Sequence, residues 1–187
     1  VGGGAKELSP TQARSLTKQQ TFEFRKRYGR KLGSLANPSD RESELFLCLN
    51  GKDEIMGCCG IEIDSITSPS GRSIAGYING KNVRAPLMSN VAVGRKFRRK
   101  GIAEELANAA EEVARKRWGY NECYLYVEKR NKPAIKLYRK LGYRAVWEDN
   151  EGRTLVPTEG GAVQNSSTII VCMKKRLDRG VFARLLP

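Results

Sequence analysis

The stretch NVAVGRKFRRKGIAEEL, residues 90–106, decides how the chain is read. A strand-like run ends, a basic turn follows, and a helix opens after Gly101. The first N–H groups of such a helix have no intrahelical acceptor, and the positive end of its dipole points outward, which suits a pyrophosphate. Gly101 lets a phosphate come close to the backbone and Ala103 stays small at the next turn, while Arg95, Lys96, Arg98, Arg99 and Lys100 add screening charge. Neither GxxxxGK[ST] nor GxGxxG is present. Taken alone, the segment reads equally as a basic surface turn ahead of an amphipathic helix.

A second stretch, YLYVEKRNKPAIKLYRKLGYRAV at residues 124–146, is a strand, a short turn with Asn131, a helix containing Tyr138, then Gly142 and Tyr143 entering another strand. Tyr138 shares a helix face with Ala134 and Leu141, so its ring packs while its hydroxyl reaches a cleft. By itself Tyr138 is as well read as a tyrosine at the edge of the core.

Together the two stretches resemble the GNAT superfamily of acyl-CoA N-acetyltransferases. The family's phosphate-binding pattern is Arg or Gln, two residues, Gly, one residue, then Gly or Ala, and it is met by Arg98, Gly101 and Ala103. Its later pattern is met by Asn131, Ala134, Tyr138, Gly142 and Tyr143 without a gap. The resemblance covers roughly residues 45–174, and the run LMSNVAV with the long last hairpin is most like the plastid and cyanobacterial branch.

This resemblance implies an α/β (α+β) fold: a mixed, mostly antiparallel, bent sheet with helices on both faces. Its fourth and fifth strands are splayed so that pantetheine inserts between them. Acetyl-CoA is then the co-substrate, with no metal. The backbone from Val91 through Ala92 to Val93 would line the pantetheine, with Val91 and Val93 pairing its amides. The amides of Arg99, Lys100, Gly101, Ile102, Ala103 and Glu104 would hold the pyrophosphate beside Arg98. Asn131 would bond near the pantetheine arm, and Tyr138 would protonate or hold the departing thiolate. Many members place a glutamate or histidine base just before the last valine of the fifth strand, where this chain has Tyr126. A neutral tyrosine with a reference pKa near 10 orders a water but is a poor base. Glu128, Glu62 and Asp64 are substitutes that are equally ordinary surface carboxylates.

Working outward, residues 10–28 read as a basic amphipathic helix and residues 45–49 and 55–63 as a hairpin about the turn NGKD. Residues 64–86 read as a polar insertion with a short strand around 74–78. The strand at 87–93 leads to a helix over 101–118, closed by Gly119. A strand at 124–127, a helix at 133–141 and a strand at 143–147 follow, then a Gly-rich loop at 150–166 and a last strand at 168–173. The chain divides into a mobile segment 1–9, one domain 10–174 and a basic tail 175–187. Val1 in place of methionine implies a trimmed or processed start, so a targeting segment would be out of view.

Composition narrows the chemistry. The 187 residues suit one domain, and no apolar run approaches the roughly 18–20 residues of a membrane span. A formal net charge of +14 favours polyanions as ligands or partners. The absence of histidine removes Ser-His-Asp triads, histidine-rich metal sites and the commonest general base. Cys48, Cys58, Cys59, Cys123 and Cys172 lie mostly in apolar runs without disulfide spacing, which points to reduced thiols in a reducing compartment. The chloroplast stroma fits the branch resemblance; otherwise the setting is cytoplasmic.

The expected function is direct transfer of an acetyl group from acetyl-CoA to a protein or peptide amine. Near pH 7.5 a lysine of pKa about 10.4 costs roughly 4 kcal/mol to deprotonate, and an α-amine near 7.8 only a few tenths. A site lacking an obvious base therefore favours protein N-termini, with lysine second and a small amine third. A reading of another class is a GNAT-like subunit that docks to a ribosome, RNA or another large assembly through its basic helix and tail, with little catalysis.

Overall fold

The computed structural model describes residues 9–28, 42–66, 83–158 and 163–177. The elements are α1 (Pro10–Tyr28), β1 (Ser43–Leu49), β2 (Ile55–Ile66), β3 (Val83–Val93), α2 (Ile102–Glu112), β4 (Glu122–Glu128), α3 (Lys132–Lys140), β5 (Arg144–Asp149), β6 (Arg153–Pro157), β7 (Val163–Ser167) and β8 (Ile170–Arg176). Each start and stop has a local cause. Ser9 and Gln12 exchange bonds between side chain and backbone, a capping box at the head of α1, with Pro10 in the first position. The β1–β2 turn closes because Asn50 Oδ1 accepts the N–H groups of Lys52 and Glu54, at 2.9 and 3.0 Å. Beyond α2, residues Val113–Arg117 widen into a π turn in which Trp118 N–H reaches back to Val113 O.

Six strands form one sheet in the order β1-β2-β3-β4-β8-β5, with every neighbour antiparallel except β3 and β4. On one face, Ile102, Leu106 and Ala110 of α2 and Tyr138 of α3 cover Cys59, Ile61, Met88, Leu125, Val127 and Met173. On the other face Leu87, Tyr124 and Cys172 form a smaller cluster. Helix α1 lies on that second side. Its Tyr28 hydroxyl occupies the space a side chain at Gly60 would need, and the neighbours Cys59 and Ile61 point the opposite way. Helices therefore cover both faces, as the GNAT resemblance implies.

Several boundaries differ from the sequence expectation. Strands β2 and β3 extend to Ile66 and back to Val83, so most of the insertion assigned to residues 64–86, with its short strand at 74–78, lies outside the described residues. The loop assigned to 150–166 holds the hairpin β6–β7, paired from Arg153↔Ser167 to Pro157↔Val163. Its second strand, VQNSS, carries no apolar alternation to announce it. The last strand begins at Ile170 rather than Thr168 and runs to Arg176, so Lys175 and Arg176 belong to the sheet rather than to a tail. The segments 1–8 and 178–187 lie outside the described residues.

Helix α2 sits close on the sheet at Gly57. A side-chain carbon there would fall 2.8 Å from the Ala92 carbonyl oxygen and 3.2 Å from both Ile102 and Leu106. Gly57→Ala should therefore destabilise the fold by about 1–3 kcal/mol through overpacking, read as a lowered urea midpoint. An unchanged midpoint would mean that the contact between β2 and α2 is looser than described.

Candidate active site

The site is built on an interruption in the sheet. Strand β3 pairs with β4 only at Leu87↔Tyr124 and Met88↔Leu125, so the two diverge from Ser89 and Tyr126 onward. The cause lies in the β2–β3 register. Gly60 opposes Ser89 and Cys58 opposes Ala92, which leaves Asn90 and Val91 facing the single residue Cys59. Asn90 takes up the extra residue with φ 54°, a β-bulge that bends β3 away from β4. The splayed pair, β3 and β4, is the pair of strands at 87–93 and 124–127 that the sequence reading counts as fourth and fifth, since the strand expected at 74–78 lies outside the described residues.

Alternation then fixes which backbone groups line the fork. Gly94 N–H bonds Met56 O on β2 at 2.9 Å, so Ala92 also faces β2 while Val91 and Val93 face the opening. The Val93 carbonyl receives Arg98 Nε at 3.1 Å. Arg98 is therefore spent in part on shaping the loop.

At the mouth of the fork a 3₁₀ turn, Arg95–Phe97, leads into two residues with positive φ, Arg99 at 66° and Gly101 at 84°. No side chain caps α2 at Gly101, so the amides of Ile102 and Ala103 have no intrahelical partner. A side-chain carbon on Gly101 would meet nothing within 4 Å, and the backbone is open to an incoming group. Arg99 and Lys100 are exposed and make no ion pair among the described residues, while Lys96 pairs with Glu54 and Lys140 with Glu104. This loop can receive a pyrophosphate, and the fork can receive an amide-bearing arm. The residues present fit acetyl-CoA.

Tyr138 is 8% exposed, its ring edge-on to that of Tyr143 with centroids 5.9 Å apart. Burial pushes its hydroxyl up to about 12, so it is protonated at any physiological pH. Asn131 acts locally as the cap of α3, its Oδ1 accepting Ala134 N–H at 3.2 Å.

The base candidates lie across the sheet from Tyr138, or at its far end. Tyr126 is 36% exposed and packs on Trp147 with centroids 5.6 Å apart. Partial burial raises the Glu128 carboxyl. Hydrogen bonds from Thr154, Arg130 and Thr168 and the charge of Arg130 outweigh that and hold it below its usual value. Its oxygens meet Arg130 at 2.5 Å, Thr154 at 2.9 Å and Thr168 at 3.3 Å. Glu62 and Asp64 pair with Leu87 and Ala85, away from the fork. The cysteines offer no nucleophile: burial pushes Cys59, Cys123 and Cys172 up to about 12. Among the described residues no group of His, Cys, Asp and Glu could hold a metal.

A splayed parallel pair with a basic loop and open helix amides at its mouth makes a site that fits an acyl-CoA. The Acetyltransferase (GNAT) family matches residues 12–143, and the chain belongs to that family, whose members draw on acetyl-CoA. The chain is 46% identical over 59 residues to "GCN5-related N-acetyltransferase 4, chloroplastic" of Arabidopsis thaliana, which covers 32% of this chain and 20% of that protein. It is 39% identical over 57 residues to an "N-alpha-acetyltransferase" of Sulfurisphaera tokodaii, covering 30% of this chain and 34% of that one. The matched stretch thus spans about a fifth to a third of these relatives. In fold it is similar to Chaetomium thermophilum Naa20, solved with a bisubstrate analogue, at TM-score 0.53 and 20% identity over 75% of this chain and 70% of that one.

Acetyl-CoA should raise the melting temperature, since a ligand at about 100 times its Kd stabilises the native state by roughly 2.7 kcal/mol. Gly101→Glu should abolish that shift by placing a carboxylate where the phosphates approach. Gly101→Ala, which carries the strain of positive φ without the charge, should retain part of it. A full shift in Gly101→Glu would remove the loop from the binding site.

Proposed function

We propose that the chain acetylates the α-amine of protein N-termini, with lysine ε-amines as secondary acceptors. The observation that supports this reading is the lack of an evident base among the described residues: Tyr126 stands where the family resemblance leads one to expect a glutamate or histidine, and Glu128 is held ionised by three partners. An acceptor that deprotonates readily by itself fits such a site, and an α-amine has a pKa of about 7.7–8.0 against about 10.4 for lysine. The name of the Sulfurisphaera relative agrees. The plastid stroma is the proposed compartment, supported by the name of the Arabidopsis relative.

Acetyl-CoA supplies the thioester whose acetyl carbon the amine attacks. Backbone groups of Val91 and Val93 would align the pantetheine arm, and amides from Arg99 to Ala103 would hold the pyrophosphate; the Glu104 amide, expected to join them, is bonded to the Gly101 carbonyl at 2.8 Å. Tyr138 would deliver its hydroxyl proton to the sulfur as the C–S bond breaks, while the attacking nitrogen releases one proton to solvent, from which Tyr138 is reprotonated.

Peptides with free or blocked N-termini and lysines, incubated with labelled acetyl-CoA and read by mass spectrometry, should be modified chiefly at free N-termini. Modification confined to lysines would overturn the acceptor assignment. Tyr138→Phe keeps the packed ring and should lower single-turnover rates by about 10²- to 10⁴-fold with acetyl-CoA affinity unchanged. A wild-type rate would reduce Tyr138 to a packing residue.

A second reading, docking to RNA or the ribosome, is favoured by a cavity of about 710 Å³ at the opposite end of β4 from the fork, lined by Arg115, Arg144, Lys174, Lys175 and Arg176 among others. Lys174 and Lys175 are tied to Glu122 and Glu111, at 3.0 and 2.5 Å, so their removal would disturb the fold. Arg115 and Arg144 have no carboxylate partner within ion-pair distance among the described residues. Arg115→Gln with Arg144→Gln should leave peptide turnover intact and reduce the log–log salt slope of RNA binding by about 2. An unchanged slope would exclude this cavity as the docking surface.

A further inference from the structure

Tyr28, the last residue of α1, stands at the apex of the fork on the face opposite α2 and α3. Its hydroxyl lies 2.8 Å from Ser89 Oγ and accepts from Asn90 Nδ2 at 3.0 Å, and the same Nδ2 donates to Ser89 Oγ at 3.2 Å. Ser89 follows the last residue of β3 that pairs with β4, and Asn90 is the bulge residue with φ 54°. Three polar groups from α1 and β3 thus close a triangle at the point where the sheet parts.

Gly60 makes the contact available. Any side chain there would collide with the Tyr28 hydroxyl, so the ring rests against bare strand backbone, edge-on to Phe24 with centroids 5.9 Å apart. A left-handed backbone is unfavourable for residues other than glycine, and asparagine tolerates it best when its side chain is anchored.

We propose that Tyr28 is a positioning residue for acetyl-CoA: its hydroxyl holds Asn90 in the bulge and thereby fixes the direction in which Val91 and Val93 present their backbone groups to the pantetheine arm. It touches no reacting atom. The contact links α1 to the cofactor cleft across 62 residues of sequence. The inference rests on the acetyl-CoA reading of the fork, which Gly101→Glu tests on its own.

Tyr28→Phe keeps the ring over Gly60 and against Phe24 and removes only the hydroxyl. Hydrogen exchange of the segment 86–94 should quicken, and Kd for acetyl-CoA should rise about 3- to 10-fold, the range expected for one net hydrogen bond. The rate at saturating acetyl-CoA should stay within about twofold, because the chemical step is not addressed. Asn90→Gly removes the same anchor while its backbone accepts positive φ, so it should lose affinity to a similar extent, and adding Tyr28→Phe to it should cost little more. Unchanged affinity and exchange in Tyr28→Phe would overturn the proposal. So would a lowered melting temperature with unchanged affinity, or a Tyr28→Phe defect that persists in full beside Asn90→Gly. If the wild-type chain does not bind acetyl-CoA, the cofactor reading fails, and exchange of the segment 86–94 still decides whether Tyr28 holds the bulge.

Discussion

One extra residue in β3 governs the rest of the site. Because Asn90 and Val91 together oppose Cys59, the strand cannot stay in register with β4, and parallel pairing ends after Met88↔Leu125. A continuous sheet would satisfy the inner edges of both strands; the divergence leaves the backbone of Val91 facing an opening instead. Backbone groups withdrawn from a ladder need other partners. An extended ligand carrying its own amides supplies them in the way an added strand does. The same divergence aims the end of β3 at the loop before α2, so the amide-binding and phosphate-binding parts follow one another along a single stretch of chain.

The sheet also separates two protonation environments. On the side of α2 and α3, Tyr138 is buried and its hydroxyl is pushed up to about 12, so it stays protonated. On the side of α1, Tyr126 is half in solvent and Glu128 is kept ionised by hydrogen bonds and Arg130. A carboxylate with three partners below its ordinary pKa gains little by taking a proton from an ammonium. Among the described residues, neither side offers a group poised to take a proton from an ammonium, and this is the physical ground for proposing an acceptor that loses its proton unaided.

What the sequence disclosed and what it withheld follow from range. The helix start at Gly101, the one placed at Pro133 and the stops at Gly119 and Gly142 were legible because local backbone chemistry sets them, and the three glycines do take positive φ, whereas the capping role of Asn131 was not read. The extent of α1 was legible too, although its capping box, Ser9 with Gln12, went unread. The hairpin β6–β7 was missed because its strands are short and the second is wholly polar after Val163. Contacts such as Tyr28 with Asn90, or Glu128 with Thr168, join residues far apart in sequence and leave no periodic trace. The bulge is of the same kind, since Asn90 among valines announces neither its φ nor its partner.

Charge at the start of α2 shows why backbone shape outweighs any single basic residue there. Five cations precede Gly101; Lys96 is paired with Glu54 and Arg98 with the Val93 carbonyl, while Arg99 and Lys100, next to Gly101, are exposed and make no ion pair among the described residues. Glu104 and Glu105 in the first turn favour the empty helix and oppose an anion. Lys140 offsets the first of them through a contact that is 67% exposed on the lysine side, a pair worth at most about 1 kcal/mol. Mobile charges of this sort are screened over about 8 Å at physiological salt. The amides of Ile102 and Ala103 are fixed in direction, would lie against a bound pyrophosphate and are not diluted in that way. For an acyl-CoA bound there, attraction at a distance would come from the side chains, whereas affinity at contact would come from the peptide groups that Gly101 leaves uncovered.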